Sequence, residues 1–191
     1  MTHPEVRIAK RFAQKYGLKP PVDIWTTVAR FAEIEETVLP VDADAISIYL
    51  KKENCKPKIF INMLIDTNRK RFTIAHELAH IIIPWHVGTV ISHIDRYQHF
   101  ADHIYSQIEA EANRFASEIL LPLKWLENEV KNFSGNPIEF TKLIASKAQV
   151  SFLSTSISVL QVLPPGYLFA VISENNLVVH SGRTVGTIAK A

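Results

Sequence analysis

The sequence predicts an α+β fold that is mainly helical, with a small three-stranded sheet, a helix-turn-helix-like segment and a C-terminal hairpin. Apolar residues recur at helical spacing in several long stretches, whereas three short segments between residues 34 and 62 alternate as strands do. The chain has 191 residues, 47% of them hydrophobic, and can therefore bury one good core and a small appended lobe.

The elements can be placed in chain order from their start and stop signals. An opening helix ends near Gly17, and a second short helix follows it. Asp66 starts a helix that ends at Pro84, and a later amphipathic helix ends at Pro122. The predicted strands cover residues 34–39, 45–50, 58–62, 167–172 and 177–180, and the predicted helices cover 6–16, 24–32, 67–83, 108–121, 122–130, 140–148 and 151–161.

One motif holds most of the functional information, the H-E-x-x-H formed by His76, Glu77 and His80 inside an apolar helical stretch. Residues four apart lie on the same helix face, so both histidines can direct ring nitrogens at one metal ion. Glu77 lies on the same side and can take a proton from a water molecule there without being a ligand. A pair of hydrogen-bonded core histidines is the alternative, but such groups are costly in an apolar helix without partners or a metal.

A catalytic zinc normally has three protein ligands and one open position, and two residues compete for the third place. His86 has the metzincin spacing, but Ile83 replaces the glycine of that pattern and no methionine follows the motif. Glu109 lies in the second amphipathic helix, and Asn113 is one turn later, where it can hold the far nitrogen of a liganding histidine. The predicted metal ligands are therefore His76, His80 and Glu109, with Glu77 catalytic and Asn113 behind a ligand.

Three blocks extend the motif: RFTIAHELAH at 71–80, EAEANRFA at 109–116 and EILLP at 118–122. Together they resemble the ImmA/IrrE family of zinc metallopeptidases over roughly residues 20 to 160. The resemblance implies a zincin-like, gluzincin-type core in which His76, His80 and Glu109 bind Zn²⁺ and Glu77 is the catalytic glutamate. It also implies an intracellular endopeptidase that cleaves a specific repressor-type transcription regulator in a phage, mobile-element or stress-response switch.

Composition and charge argue against several other classes of protein. The N-terminus has no apolar run behind a basic start, and no apolar run reaches about 18 residues, so we expect neither export nor membrane insertion. The single Cys55 cannot form an internal disulfide and fits a reducing cytoplasm. A net charge of +2 is too small to indicate non-specific nucleic-acid binding.

The segment at 136–163 has the outline of a helix-turn-helix, with a tight connection at Gln149-Val150. Its second helix has no Arg or Lys over residues 151–158 to contact phosphate or guanine, so we interpret it as a packing or partner-docking element and expect no direct DNA binding. Residues 1–135 form the predicted metallopeptidase core. Residues 164–191 form the hairpin and tail, which is compatible with a short autonomous end or with the start of a further regulatory domain.

Further expectations concern the surroundings of the motif. Residues 84–102 are predicted to be a loop that covers the metal, and strand 58–62 to be an edge strand that binds extended substrate. We expect Glu111 to point into solvent and Trp85 to pack in the core. The sequence does not choose among the candidates for stabilising an oxyanion, which are His86, His93, His99, His103, Tyr97 and Tyr105.

The sequence thus predicts a cytoplasmic zinc endopeptidase whose substrate is a regulatory protein. The alternative is a non-proteolytic regulator or toxin-antitoxin-type binding partner that keeps a structural metal. The intact Glu77 argues against that alternative, because a structural site needs no general base. A DNA-binding regulator is a third class, and the oligomeric state is left open.

Overall fold

A computed structural model describes residues 3–40, 43–48, 55–86, 99–173 and 175–188. Within these ranges the chain forms seven α-helices, a three-stranded mixed sheet and a two-stranded antiparallel sheet, which confirms the predicted α+β class. None of the helices in these ranges is long and apolar enough to cross a membrane. Packing divides the chain into two compact units, Met1–Leu120 and Leu121–Ala191, and the predicted three-part division stays a prediction.

The first unit contains four helices and the three-stranded sheet, and the second contains three helices and the strand pair. The elements of the first unit are α1 (Pro4–Tyr16), α2 (Ile24–Val28), β1 (Glu33–Thr37), β2 (Ala45–Ile48), β3 (Lys58–Asn62), α3 (Thr67–Ile82), a 3-10 turn (Pro84–His86) and α4 (His99–Leu120). Those of the second are α5 (Leu123–Lys131), α6 (Pro137–Ala148), α7 (Phe152–Val159), β4 (Leu168–Ile172) and β5 (Val178–Arg183).

The three-stranded sheet has the order β1-β3-β2, with β3 parallel to β1 and antiparallel to β2. The prediction that residues 58–62 form an edge strand is therefore wrong. Alternation along a strand reports which face is buried, here with Ile59 and Ile61 inaccessible to solvent, but it does not report how many neighbours the strand has. Among the described residues, β3 is the central strand, and β2 is an edge strand of this sheet.

Helix α3 begins and ends where its signals predict. The Asp66 side chain accepts a hydrogen bond from the backbone N–H of Arg69 at 3.0 Å, which satisfies one donor that the first turn leaves unpaired. Ile83 is the extended residue after the last turn, and Pro84 cannot continue the helix. Four side chains between these ends are fully buried: Ile74, Ala75, Leu78 and Ala79.

Helix α4 is longer than predicted, because it begins at His99 rather than near residue 108. Residues 84–86 form a 3-10 turn and residues 99–102 are helical, so the loop prediction for 84–102 is wrong at both ends. Its middle part, residues 87–98, lies outside the described residues. Phe100 and Ile104 precede Ile108 at intervals of four, so the helical apolar pattern of α4 already starts before the predicted boundary.

Helices α3 and α4 pack against each other, and α1 packs against α4. Buried alanines on both helices, Ala75 and Ala79 on α3 and Ala112 and Ala116 on α4, leave little side-chain bulk between the two backbones. On the α1 side, the buried Glu5 forms an ion pair with Arg114. The small side chains therefore allow groups on α4 to reach the H-E-x-x-H face of α3.

The second unit contains the predicted helix pair and hairpin. Helix α6 starts with a capping box between Asn136 and Glu139, and Gln149 ends it in the left-handed conformation at φ 55°. Ser151 then caps α7, so the connection is as tight as predicted. Strands β4 and β5 pair antiparallel, and β5 continues to Arg183, beyond the predicted end at residue 180.

Replacing the cap of the metal-site helix tests the start of α3. Asp66→Ala leaves the N–H of Arg69 without its acceptor and should lower the free energy of unfolding by about 1 kcal/mol. Urea unfolding of the metal-free protein, followed by circular dichroism, measures this change. Asp66→Asn should keep most of the stability, and equal stability of the Ala and Asp66 proteins would contradict the assignment of the cap.

Candidate metal centre

Three side chains from two helices converge at one point. His76 and His80 stand one turn apart on α3, and Glu109 approaches them from α4. The two Nε2 atoms are 3.1 Å apart, Glu109 Oε2 is 3.0 Å from His76 Nε2, and Glu109 Oε1 is 3.6 Å from His80 Nε2. The structure thus brings together the three predicted metal ligands.

These separations fit a tetrahedral ion. Zinc bonds of about 2.0–2.2 Å to nitrogen and oxygen place neighbouring tetrahedral ligands about 3.3 Å apart. Two of the observed distances, 3.0 and 3.1 Å, are slightly shorter than that value, and the third, 3.6 Å, is slightly longer. Two imidazoles and one carboxylate form a donor set that zinc uses with a fourth position left open, so the residues present fit a zinc ion.

In the neutral His76 ring the proton is on Nδ1, which faces away from the cluster, so Nε2, which faces the cluster, presents a lone pair. Nδ1 of this ring lies 3.0 Å from Oδ1 of Asn113, so Nδ1–H donates to the amide oxygen and Nε2 faces the cluster. Asn113 therefore lies where the sequence placed it, behind a candidate ligand. Burial opposes protonation of His76. In the protonated ring, however, Nε2–H donates to Glu109, and this hydrogen bond together with the nearby charge of Glu77 raises the pKa of His76 above the ordinary value. The negative potential that favours a proton at this nitrogen favours a metal cation equally.

His80 is prepared for coordination in the opposite way. Burial, together with the neighbouring His76, lowers the pKa of His80 to about 4. The ring is therefore neutral at pH 7, which is the state that binds a metal. Its side chain is 11% exposed and that of Glu109 is 27% exposed, so the cluster is partly sheltered from water.

Glu77 adjoins His76 along α3 and contacts a residue that sequence reasoning missed. The Ser47 hydroxyl of β2 donates a hydrogen bond to Oε2 of Glu77. One oxygen of the carboxylate is thereby held by the sheet edge. The sequence carried no signal for this contact, because alternation with Ile46 and Ile48 predicts Ser47 on the exposed face of the strand. In the structure both isoleucines are exposed, and Ala45 and Ser47 are half-buried.

His86 and Glu111 are buried behind His80, contrary to expectation. His86 Nδ1 lies 3.2 Å from His80 Nδ1, and His86 Nε2 lies 3.1 Å from Glu111 Oε2. The metzincin alternative placed His86 beside the metal, whereas this ring contacts the side of His80 that faces away from the cluster. Glu111 is 7% exposed, so the prediction that it points into solvent is wrong. Its position on α4 indicated a surface residue, but the 3-10 turn at Pro84–His86 covers its side chain, which the helical pattern of α4 alone does not predict.

Trp85 is half exposed, at 48%, rather than packed in the core as expected. Its indole N–H donates to Glu111 Oε2 at 2.5 Å, and the Gln107 amide donates to Glu111 Oε1 at 2.9 Å. Burial alone would raise the pKa of Glu111, but these hydrogen bonds and the one from His86 hold the pKa below its ordinary value. Glu111 is therefore a charged carboxylate with three donors around it.

Tyr105 is the one tyrosine among the open oxyanion candidates that the structure describes. It lies one turn before Glu109 on α4, and burial followed by the charges of Glu109 and Glu77 raises the pKa of its phenol. The phenol is therefore protonated at neutral pH and near both carboxylates. Of the other candidates, His93 and Tyr97 lie outside the described residues, His99 begins α4, and His103 is exposed on it.

Comparison with known proteins places this site in a family. Residues 32–156 match the IrrE N-terminal-like domain family of M78 peptidases. The match covers more than half of the chain and contains all of the converging residues, so the chain belongs to this family, as the resemblance implied. The chain therefore carries a peptidase-type domain with a possible metal-binding triad. No curated protein matches the chain.

A solved structure supports the fold. The structure of a Mycobacterium tuberculosis transcriptional regulator is similar to this chain, with a TM-score of 0.66 and 16% sequence identity. The similarity covers 95% of this chain and 55% of that protein, so the chain spans little more than half of that protein's length. At this identity the similarity concerns the fold alone.

Zinc should stabilise the folded chain through the converging residues. Zinc at a hundred times its dissociation constant should add about 2.7 kcal/mol to the stability, which raises the unfolding midpoint by roughly 5–10 °C. Differential scanning calorimetry with and without chelator measures the shift. His80→Ala should remove it, and His103→Ala, on the exposed surface of α4, should keep it. An unchanged shift in the His80 variant would contradict the site.

Proposed function

We propose that this chain is a zinc-dependent endopeptidase of the cytoplasm and that it cleaves a specific repressor-type transcription regulator. One observation carries the proposal: two imidazole nitrogens and a carboxylate from α3 and α4 lie at the distances of a zinc ligand set, with the Glu77 carboxylate beside them. Membership of a peptidase family supports the reaction class. The resemblance to ImmA/IrrE proteases supports the substrate class.

In this proposal His76, His80 and Glu109 hold the ion, and Glu77 moves the proton. Bound zinc supplies Lewis-acid polarisation of a carbonyl and lowers the pKa of a water molecule. Glu77 takes a proton from the attacking water, whose oxygen bonds to the carbonyl carbon. The carbon–nitrogen bond then breaks, and Glu77 passes the proton to the leaving amine.

Two further residues assist the proton transfer and the charge that develops. The hydrogen bond from Ser47 occupies one oxygen of Glu77 and orients the other towards the reacting water. Tyr105 keeps its proton at neutral pH and lies within electrostatic reach of Glu77 and Glu109. Its hydroxyl is therefore suited to donate to the carbonyl oxygen as negative charge develops there.

Strand β2 is suited to bind the substrate backbone. The N–H of Asn62 donates to the carbonyl of Asp44 at 2.9 Å, which marks these residues as a hydrogen-bonded pair. Such pairs alternate along an antiparallel ladder, so the backbone groups of Ala45 and Ser47 point away from β3. An extended peptide could pair with them as an added strand and pass beside Glu77. The expectation of strand addition thus moves from β3 to β2.

The catalytic assignment is tested by Glu77→Gln, which keeps the side-chain size but cannot accept the proton. Cleavage of a repressor-type regulator supplied as the substrate should fall about a hundredfold or more, whereas zinc should stay bound at about one per chain. Cleavage is followed on co-expression and with purified proteins, and zinc by elemental analysis.

Glu35→Gln makes the same chemical change at an exposed position of β1, and this control variant should cleave normally. Undiminished cleavage by the Glu77 variant would end the mechanism. If the unaltered chain binds the repressor and zinc but never cuts, the chain acts as a non-proteolytic binding partner with a structural metal instead.

Strand addition is tested by Ala45→Pro, which removes an outward backbone N–H at the first residue of β2 and spares the pairing with β3. The loss of one backbone hydrogen bond should lower kcat/KM about two- to tenfold, mainly through KM. Zinc affinity should not change. Ala45→Val keeps the N–H and should cleave normally, and normal kinetics of the proline variant would exclude pairing at this edge.

A further inference from the structure

We propose that His86 and Glu111 form a hydrogen-bonded relay that positions His80 as a metal ligand and fixes the tautomer of its ring. The inference rests on the proposed zinc function and deepens it, because it adds two positioning residues outside the predicted ligand set. Neither residue contacts the reacting atoms. Both act through His80.

The relay follows from the two sides of the His80 ring. Its Nε2 faces the cluster, 3.1 Å from His76 Nε2, and its Nδ1 faces His86 Nδ1 at 3.2 Å. When Nε2 offers its lone pair to a metal, the ring proton is on Nδ1 and is donated to His86 Nδ1. The proton of His86 is then on Nε2, which donates to Glu111 Oε2 at 3.1 Å. The proton on His80 Nδ1 therefore determines that the proton of His86 is on Nε2.

The far end of the relay is firmly held. Glu111 Oε2 also accepts from the Trp85 indole at 2.5 Å, and its other oxygen accepts from Gln107 at 2.9 Å. The anchoring donors come from the 3-10 turn and from the preceding turn of α4. The His86 side chain is inaccessible to solvent and that of Glu111 is 10% exposed, so water does not compete for these hydrogen bonds.

The two candidate histidine ligands are thus supported differently. His76 donates to the neutral amide of Asn113, which is an exposed residue, whereas His80 is linked through His86 to a buried negative charge. A carboxylate behind a liganding imidazole orients the ring and raises its basicity. The relay therefore gives His80 a support that ends in a buried carboxylate, whereas the support of His76 ends in an exposed amide.

A purely structural reading is that His86 and Glu111 only fasten the 3-10 turn to α4. Two variants of the chain distinguish this explanation from the relay. His86→Phe fills the space but removes both hydrogen bonds, and it should weaken zinc binding about 10- to 100-fold. His86→Asn places an amide oxygen near the former Nδ1, can accept from His80, and should recover most of the affinity. Competition with a zinc chelator measures both, with His103→Phe as the unaffected surface control.

Cobalt substitution distinguishes positioning from direct ligation. If His86 acts through His80, both variants should show the visible absorption of the unaltered protein at saturating Co²⁺. Zinc affinity of His86→Phe equal to that of the unaltered chain would overturn the relay. The relay would also be overturned if His86→Phe and His86→Asn bound zinc equally weakly. An unchanged cobalt spectrum would then indicate a packing role for His86, and an altered spectrum would indicate direct ligation.

If circular dichroism shows that His86→Phe does not fold, Glu111→Gln replaces it. That variant keeps the shape, removes the charge and should weaken zinc binding by at least about threefold, and undiminished affinity would overturn the relay. Failure of the proposed function has a separate signature. The unaltered chain would then bind no zinc, or it would bind zinc and cleave no regulator, whatever the zinc affinities of the His86 and Glu111 variants are.

Discussion

The close packing of α3 against α4 is the constraint on which the rest of the site depends. Helix α3 supplies two imidazoles and Glu77, but the third candidate ligand, the Glu109 carboxylate, belongs to a helix that begins 17 residues after α3 ends. Alanines at buried positions on both helices allow Glu109 to reach within 3.0 Å of His76. A larger side chain at Ala112 or Ala116 would separate the backbones, and the carboxylate would no longer reach the imidazoles.

Hydrogen bonds around the cluster explain why its inner atoms are suited to a cation. The Asn113 side-chain oxygen accepts a hydrogen bond from the outer N–H of His76, and His86 faces the outer nitrogen of His80. With the ring protons outside, two imidazole lone pairs and a carboxylate face each other across about 3 Å. Groups that can only accept are unfavourable at that distance unless a positive charge lies between them. Asn113 and His86 thus orient the two imidazoles so that their lone pairs can bind a metal ion.

Prediction from sequence succeeded where the signal was local. The caps and ends of α3, the tight α6–α7 connection and the hairpin all depend on residues within a few positions of each other. Prediction failed for Glu111, Trp85 and the edge strand. Each of these depends on which distant segment lies alongside, and periodicity within one segment contains no information about its neighbours.

The sequence by itself determined the pairing of His76 with His80 and the position of Glu77 beside them, because the pitch of an α-helix fixes the spacing of side chains four residues apart. It also indicated Glu109 and Asn113, through their spacing on a second amphipathic helix. Only the tertiary structure decided that Ser47 contacts Glu77 and that His86 and Glu111 lie behind His80. Those contacts join residues on separate elements, and their distances are set by packing between elements rather than by the geometry of any one of them.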